Sequence, residues 1–143
     1  MLATLAVSGC ATLRRDFPRH LSTAVAPRAD TPSTRYVQAQ VKQHAQQSGF
    51  RLLTFSTNAL MSRVTLADHA EHTLDLQYYI FANDATGRLV AQRLLAAADR
   101  GVRVRLLLDD INVDEQIDML DALDAHPNIE VRLFNPFGTN DRS

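Results

Sequence analysis

The residues able to do chemistry in this sequence are few, and most are carboxylates. Asp109 and Asp110 are adjacent, Asn83 and Asp84 form a second polar pair, and Asn135 follows a short apolar run. Such residues could hold a metal or a phosphate, or supply a general acid. They can equally cap helices, because Asp and Asn at a helix start accept from amides that lack a partner within the helix. Asp84 and Asn112 fit the capping role. Asp109 and Asp110 leave both readings open, since two neighbouring carboxylates exceed what one cap requires. The histidines are His20, His44, His69, His72 and His126. His69 and His72 are spaced i, i+3 and could share a metal, but no third ligand accompanies them and a solvated helix end accounts for the pair. Gly87, Gly101 and Gly138 lie too far apart for a dinucleotide or Walker loop. No metal and no cofactor is expected.

These residues matter only if the fold brings them together. Leu60, Val64 and Ala67 recur at helical spacing and predict a helix from about Thr57 to Glu71. Leu74, Leu76, Tyr78 and Ile80 alternate with polar residues, the period of a strand over Thr73 to Phe81. A helix follows with Val90, Leu94 and Ala98 on one face, capped by Asn83, Asp84 or Thr86 and ended by Gly101. Val102, Val104, Leu106 and Leu108 make a second strand. Asn112 and Glu115 are a capping pair for a helix running to about Ala125, and Ile129, Val131 and Leu133 make a third strand. Strand–helix–strand–helix–strand with short connections means an α/β fold with parallel strands and right-handed crossover helices. In such sheets ligands bind beyond the carboxyl ends of the strands, where Asn83–Asp84, Asp109–Asp110 and Asn135 would converge. Arg103 and Arg105 share one strand face without interleaved aromatics and read as helix-facing or rim charges.

The balance of charges narrows the partners. Fifteen Lys and Arg against sixteen Asp and Glu give a net charge of −1, which lacks the basic excess of a nucleic-acid surface. No run of about 20 apolar residues could span a bilayer as a helix. The one cysteine, Cys10, precludes an internal disulfide or a cysteine-based zinc site.

Cys10 ends the run Val7-Ser8-Gly9-Cys10, which resembles the lipobox of bacterial lipoproteins: an apolar residue, two small ones, then the thiol to be lipidated. Residues 1–13 read as a targeting segment, shortened because no basic residue precedes its apolar core. The other reading of Cys10 is a free cysteine packed as a small hydrophobe. Ala11 in place of aspartate points to outer-membrane sorting. Residues 14–48, with Pro18, Pro27 and Pro32, read as a linker, including a short polar helix from Tyr36 to Gln47. The domain would occupy residues 49–143.

Four segments carry a wider resemblance: Leu74-Asp75-Leu76-Gln77-Tyr78-Tyr79-Ile80, Ala98-Asp99-Arg100-Gly101-Val102-Arg103-Val104, Leu108-Asp109-Asp110 and Arg132-Leu133-Phe134-Asn135-Pro136-Phe137. Together they resemble the phospholipase D superfamily, and within it the cardiolipin synthase C type of bacterial lipoprotein, from about Ser48 to Phe137. The resemblance implies phosphodiester exchange through two H-x-K-x-x-x-x-D motifs. One histidine attacks phosphorus, the other protonates the leaving alcohol, and no metal is needed. It implies a phospholipid partner, phosphatidylglycerol or phosphatidylethanolamine, and a membrane-anchored lipoprotein facing the periplasm. No histidine here fits the motif, and the single lysine, Lys42, precedes the fold. The chain is therefore read as an N-terminal piece that stops before the first motif. No catalytic residue is assigned, and Gln77, Tyr79, Asp109 and Asp110 are placed at the border of the pocket. A non-catalytic lipoprotein or binding module, and a related phosphodiesterase or nuclease, are the alternatives.

Overall fold

The computed structural model describes residues 21–26, 28–44, 46–113 and 116–135. Cys10 and its leader, Glu115, and residues 136–143 lie outside the described residues. Helix α1 spans Pro32–Val41, α2 Ser56–His69, β1 Thr73–Tyr78, α3 Ala85–Asp99, β2 Arg103–Asp109, α4 Ile117–Asp124 and β3 Ile129–Phe134.

The three strands form one parallel sheet in the order β1-β2-β3. Two right-handed crossovers that step in the same direction place both helices on one side. The packing follows: Val104, Leu106 and Leu108 of β2 are buried with α3 and α4 in a single core cluster. Leu94, Val104 and Leu106 at its centre are at most 1% exposed. Alternation then sends Arg103, Arg105 and Leu107 to the opposite face, which carries no helix among the described residues. Arg103 and Arg105 are thus neither helix-facing nor at the rim, contrary to the sequence reading.

That second face has a partial cover of its own. The Arg103 guanidinium donates to the Thr23 carbonyl at 2.9 Å, and Arg105 donates to Ser22 Oγ at 2.9 Å. Part of the presumed linker is therefore docked on the sheet. α1 also starts earlier than its polar pattern indicated, at Pro32 rather than Tyr36. Thr31 Oγ1 accepts from the Thr34 amide at 3.1 Å, and Pro32 occupies the first helical turn, where its missing N–H is harmless.

Two strand-end details depart from the periodicity. β1 stops at Tyr78, Ile80 is left 57% exposed, and Phe81 turns into the core instead. Its ring meets that of Tyr78 edge to face at 5.2 Å between centroids. After β2 the chain makes a 3-10 turn, Asp110–Asn112, before α4. Asn112 lies in that turn and is not the cap of α4. The helix begins at Ile117 behind Gln116, which makes no side-chain cap.

Candidate functional site

The register aligns Tyr78, Leu108 and Leu133 across the sheet, so Tyr79, Asp109 and Phe134 succeed them side by side at the carboxyl rim. Asp109 is the last residue of β2, and its Oδ1 accepts from the Ile111 amide at 3.1 Å, capping the 3-10 turn. Asp110 opens that turn and is half-buried. Tyr79 is exposed beside the end of β1. Gln77 sits one pleat lower, opposite Leu107 on the helix-free face. The four rim residues singled out in the sequence do not line one cavity. Gln77 and Tyr79 border a 510 Å³ cleft between α2 and β1, and the two aspartates do not.

Asn83 and Asp84 serve α3. Asp84 Oδ1 accepts from the amides of Thr86 and Gly87, both at 2.8 Å, and from the Thr86 hydroxyl at 2.7 Å. The Gly87 amide, then the Thr86 hydroxyl, hold its carboxyl below the ordinary value. Of the three candidates for this cap, Asp84 is the one used. The Asn83 carbonyl accepts from Arg88 at 2.7 Å. Asn135, just past β3, adopts a left-handed backbone with φ 54°, a conformation Asn tolerates better than most residues.

On the helix-free face Asp75 accepts two bonds of 2.6 Å from Arg105, a fork that matches guanidinium to carboxylate. That hydrogen bonding depresses the Asp75 carboxyl and raises the Arg105 guanidinium. Arg132 pairs with Glu130 beside it. Gln77, Arg105, Glu130 and Arg132 line a shallow second cavity of 360 Å³ with Ser22. Its charges are matched, so it presents no surplus cation to a phosphate. Burial raises the Tyr78 phenol, against the opposing influence of Arg63, whose guanidinium lies 5.9 Å from the ring centroid.

His69 and His126 stand away from this rim. His69 closes α2, with Nδ1 2.9 Å from the Thr65 carbonyl. His126 precedes β3, at the amino end of the sheet. Its Nδ1 accepts from the Asn128 amide at 3.1 Å, and its Nε2 faces Asp99 at 3.3 Å. No group of three potential metal ligands exists among the described residues.

Sequence reasoning passed over Arg100. Its guanidinium donates to the carbonyls of Ala67 at 2.8 Å, Ala70 at 3.3 Å and Ala96 at 3.0 Å. Those carbonyls end α2 and α3 and have no partner in their own helices. The arginine in the Ala98–Val104 segment is thus a clamp between two helices, with Gly101 beside it at φ 89°. A basic residue next to a C-terminal glycine was the available signal.

Comparison with known proteins decides what these segments belong to. Residues 64–141, more than half of the chain, match the family described as cardiolipin synthase, PLD-like domain. The chain belongs to this phospholipase D-like family. It is 59% identical over 95 residues to cardiolipin synthase C of Escherichia coli K12, a match covering 66% of this chain and 20% of that protein. It is 38% identical over 107 residues to an uncharacterized protein of Helicobacter pylori strain 26695, covering 75% of this chain and 21% of that one. The chain thus spans about a fifth of the length of these relatives. Among solved structures, the archaeal chromatin protein TrmBL2 aligns at 15% identity and a TM-score of 0.48, over 72% of this chain and 41% of that one. That likeness is too slight to bear on fold or function. For this phospholipase D-like chain the described rim supplies helix and turn caps, and none of the five histidines stands in an H-x-K-x-x-x-x-D motif.

Proposed function

We propose that this chain is the structural opening of a phosphatidyl-transferring enzyme. In the complete protein a phosphodiester of phosphatidylglycerol, or of phosphatidylethanolamine, is exchanged through a phosphohistidine on residues outside this chain. The observation that carries the reading is the 59% identity to cardiolipin synthase C over 95 residues. The chain's own part is to build the parallel sheet, order its carboxyl rim through the Asp84 and Asp109 caps, and brace its amino end with the Arg100 clamp. No cofactor enters the scheme. A non-catalytic binding module is less favoured, because the charges of the cavity on the helix-free face are matched in pairs. Lipidation of Cys10, and through it a place on the periplasmic side of the bacterial envelope, belongs to the same proposal.

The test is a chimera in which this chain replaces the matching fifth of the E. coli enzyme. Cardiolipin formation from phosphatidylglycerol should survive, while the 143-residue chain alone should make none. A folded, soluble chimera without activity would count against the reading, as would turnover by the chain alone. Fatty-acid labelling of wild type and Cys10→Ser, both behind a complete leader, tests the anchor, and equal label on the two would remove it.

A further inference from the structure

The net charge of −1 conceals a division along the chain. Ahead of Asp68 stand eight Lys and Arg against two Asp, and from Asp68 onward seven Arg against fourteen Asp and Glu. Residues 31–67 hold no carboxylate side chain at all. The first part is thus cationic by a surplus of six, and the rest is anionic by seven. The fold does not need such an asymmetry, whereas a polyanion or a charged membrane surface would respond to it.

Little of that surplus is neutralised within the molecule. Arg28 is paired with Asp30 at 3.0 Å. Arg35 binds the Asp30 carbonyl, which leaves its charge in place. Lys42 and Arg51 are exposed and have no ion pair among the described residues. Arg35, on α1, and Lys42, its C-cap, are seven positions apart, about two turns, and so share one side of the helix. Beside them Tyr36 is 65% exposed and Val37 54%. Free cations next to an exposed tyrosine and valine suit the head-group level of a bilayer. There the ring and the aliphatic stems of Lys and Arg settle while the charges meet lipid phosphates. A single-stranded nucleic acid would call for several aromatics among the cations, and α1 has Tyr36 alone. We propose that the chain ahead of Asp68, centred on α1, is a cationic arm that holds the protein against a membrane surface containing anionic phospholipid, whether or not Cys10 carries a lipid. The identity of that surface rests on the phospholipid reading above, and the electrostatics rest on this chain alone.

The test uses the full 143-residue chain as Cys10→Ser, so that no acyl chain contributes, and measures co-sedimentation with vesicles. The protein should bind vesicles of phosphatidylcholine mixed with phosphatidylglycerol and ignore vesicles of phosphatidylcholine alone. About 1 M salt, where charges are screened within ~3 Å, should release it. Lys42→Gln combined with Arg51→Gln should weaken binding roughly 10- to 30-fold, about a factor of five for each cation removed. Circular dichroism should not change, because both side chains lie outside the core. Arg88→Gln removes an exposed cation from the acidic part and should leave binding nearly unchanged. An equal loss there would mean that net charge and not the arm is responsible, and would overturn the proposal. So would binding to neither vesicle, binding indifferent to phosphatidylglycerol or salt, or capture of an oligonucleotide in place of vesicles. Neither turnover nor acylation is read, so the arm and the phosphatidyl-transfer reading fail separately.

Discussion

Replacing Gly87 by alanine sets two effects of opposite sign against each other. Gly87 lies in the first turn of α3, and within helices alanine is favoured over glycine by about 1 kcal/mol, less near an end. On propensity alone Gly87→Ala should stabilise. The structure argues otherwise, because a Cβ built on Gly87 falls 1.8 Å from the Ala82 carbonyl oxygen and 3.0 Å from its carbon. Contact between non-bonded heavy atoms is comfortable near 3.5 Å, so backbone must part from backbone by well over 1 Å. No side chain can swing aside to relieve it. Moving the first turn away would also stretch the 2.8 Å bond from the Gly87 amide to Asp84. Overpacking of this kind costs about 1–3 kcal/mol, and the upper end applies where the obstacle is a peptide group. After subtraction of the propensity gain, a net loss of about 2 kcal/mol remains, or ~10 °C in Tm for a domain of this size. Thermal melts followed by far-UV circular dichroism decide the matter. Gly101 is the control, since its Cβ would meet nothing within 4 Å but its φ of 89° disfavours any side chain. There Asn should recover part of what Ala loses, whereas at position 87 nothing larger than glycine should be tolerated. A Gly87→Ala protein that melts at or above the wild type would refute the close-approach argument.

Arg100→Met keeps the aliphatic stem and removes the three carbonyl contacts, so the domain should lose about 1 kcal/mol, read as a lower urea midpoint with unchanged slope. Leu106→Asp should leave the chain unable to fold, because it places an unpaired carboxylate at a site 1% exposed, whereas Asp109→Asn should stay soluble with a small drop in Tm; equal solubility of the two would contradict the strand register. The Asp75 and Asp84 carboxyls lie below their ordinary value of 3.8, so their contribution is complete above about pH 4 and is lost as pH falls through the lower folded values. Urea titrations from neutral to acidic pH should therefore show a flat upper limb and a steep acid limb, and Asp84→Asn, which keeps an acceptor but cannot titrate, should shallow the acid limb.

The order of elements was legible because each strand and helix carries its own period. Val90, Leu94 and Ala98 are buried on α3, and Leu74, Leu76 and Tyr78 share one face of β1, as their spacing requires. Gly101 marked the end of α3 for a local reason, the left-handed turn. What stayed hidden depended on residues far apart in the chain. Arg100 reaches carbonyls thirty or more positions upstream, and no local pattern announces that α2 ends beside α3. The helix-free face was likewise invisible: it follows from two crossovers stepping the same way, which moved Arg103 and Arg105 out of their expected setting. At the rim, types and spacing could not rank a site above a cap. Asp109 proved to cap a 3-10 turn that the pattern after β2 does not reveal, and that turn displaced the start of α4 past Asn112.

The hold of Arg103 and Arg105 on Thr23 and Ser22 shortens a leash. Were residues 14–48 a free tether, a group attached at Cys10 could stand well over 100 Å from the domain, at roughly 3.5 Å per residue of extended chain. With Ser22 fastened to β2, only a dozen residues separate Cys10 from the sheet, and the reach falls to roughly 40 Å. Whatever surface holds Cys10 would then lie within that reach of the helix-free face, so two arginines of β2 would set how far the domain can stand from it.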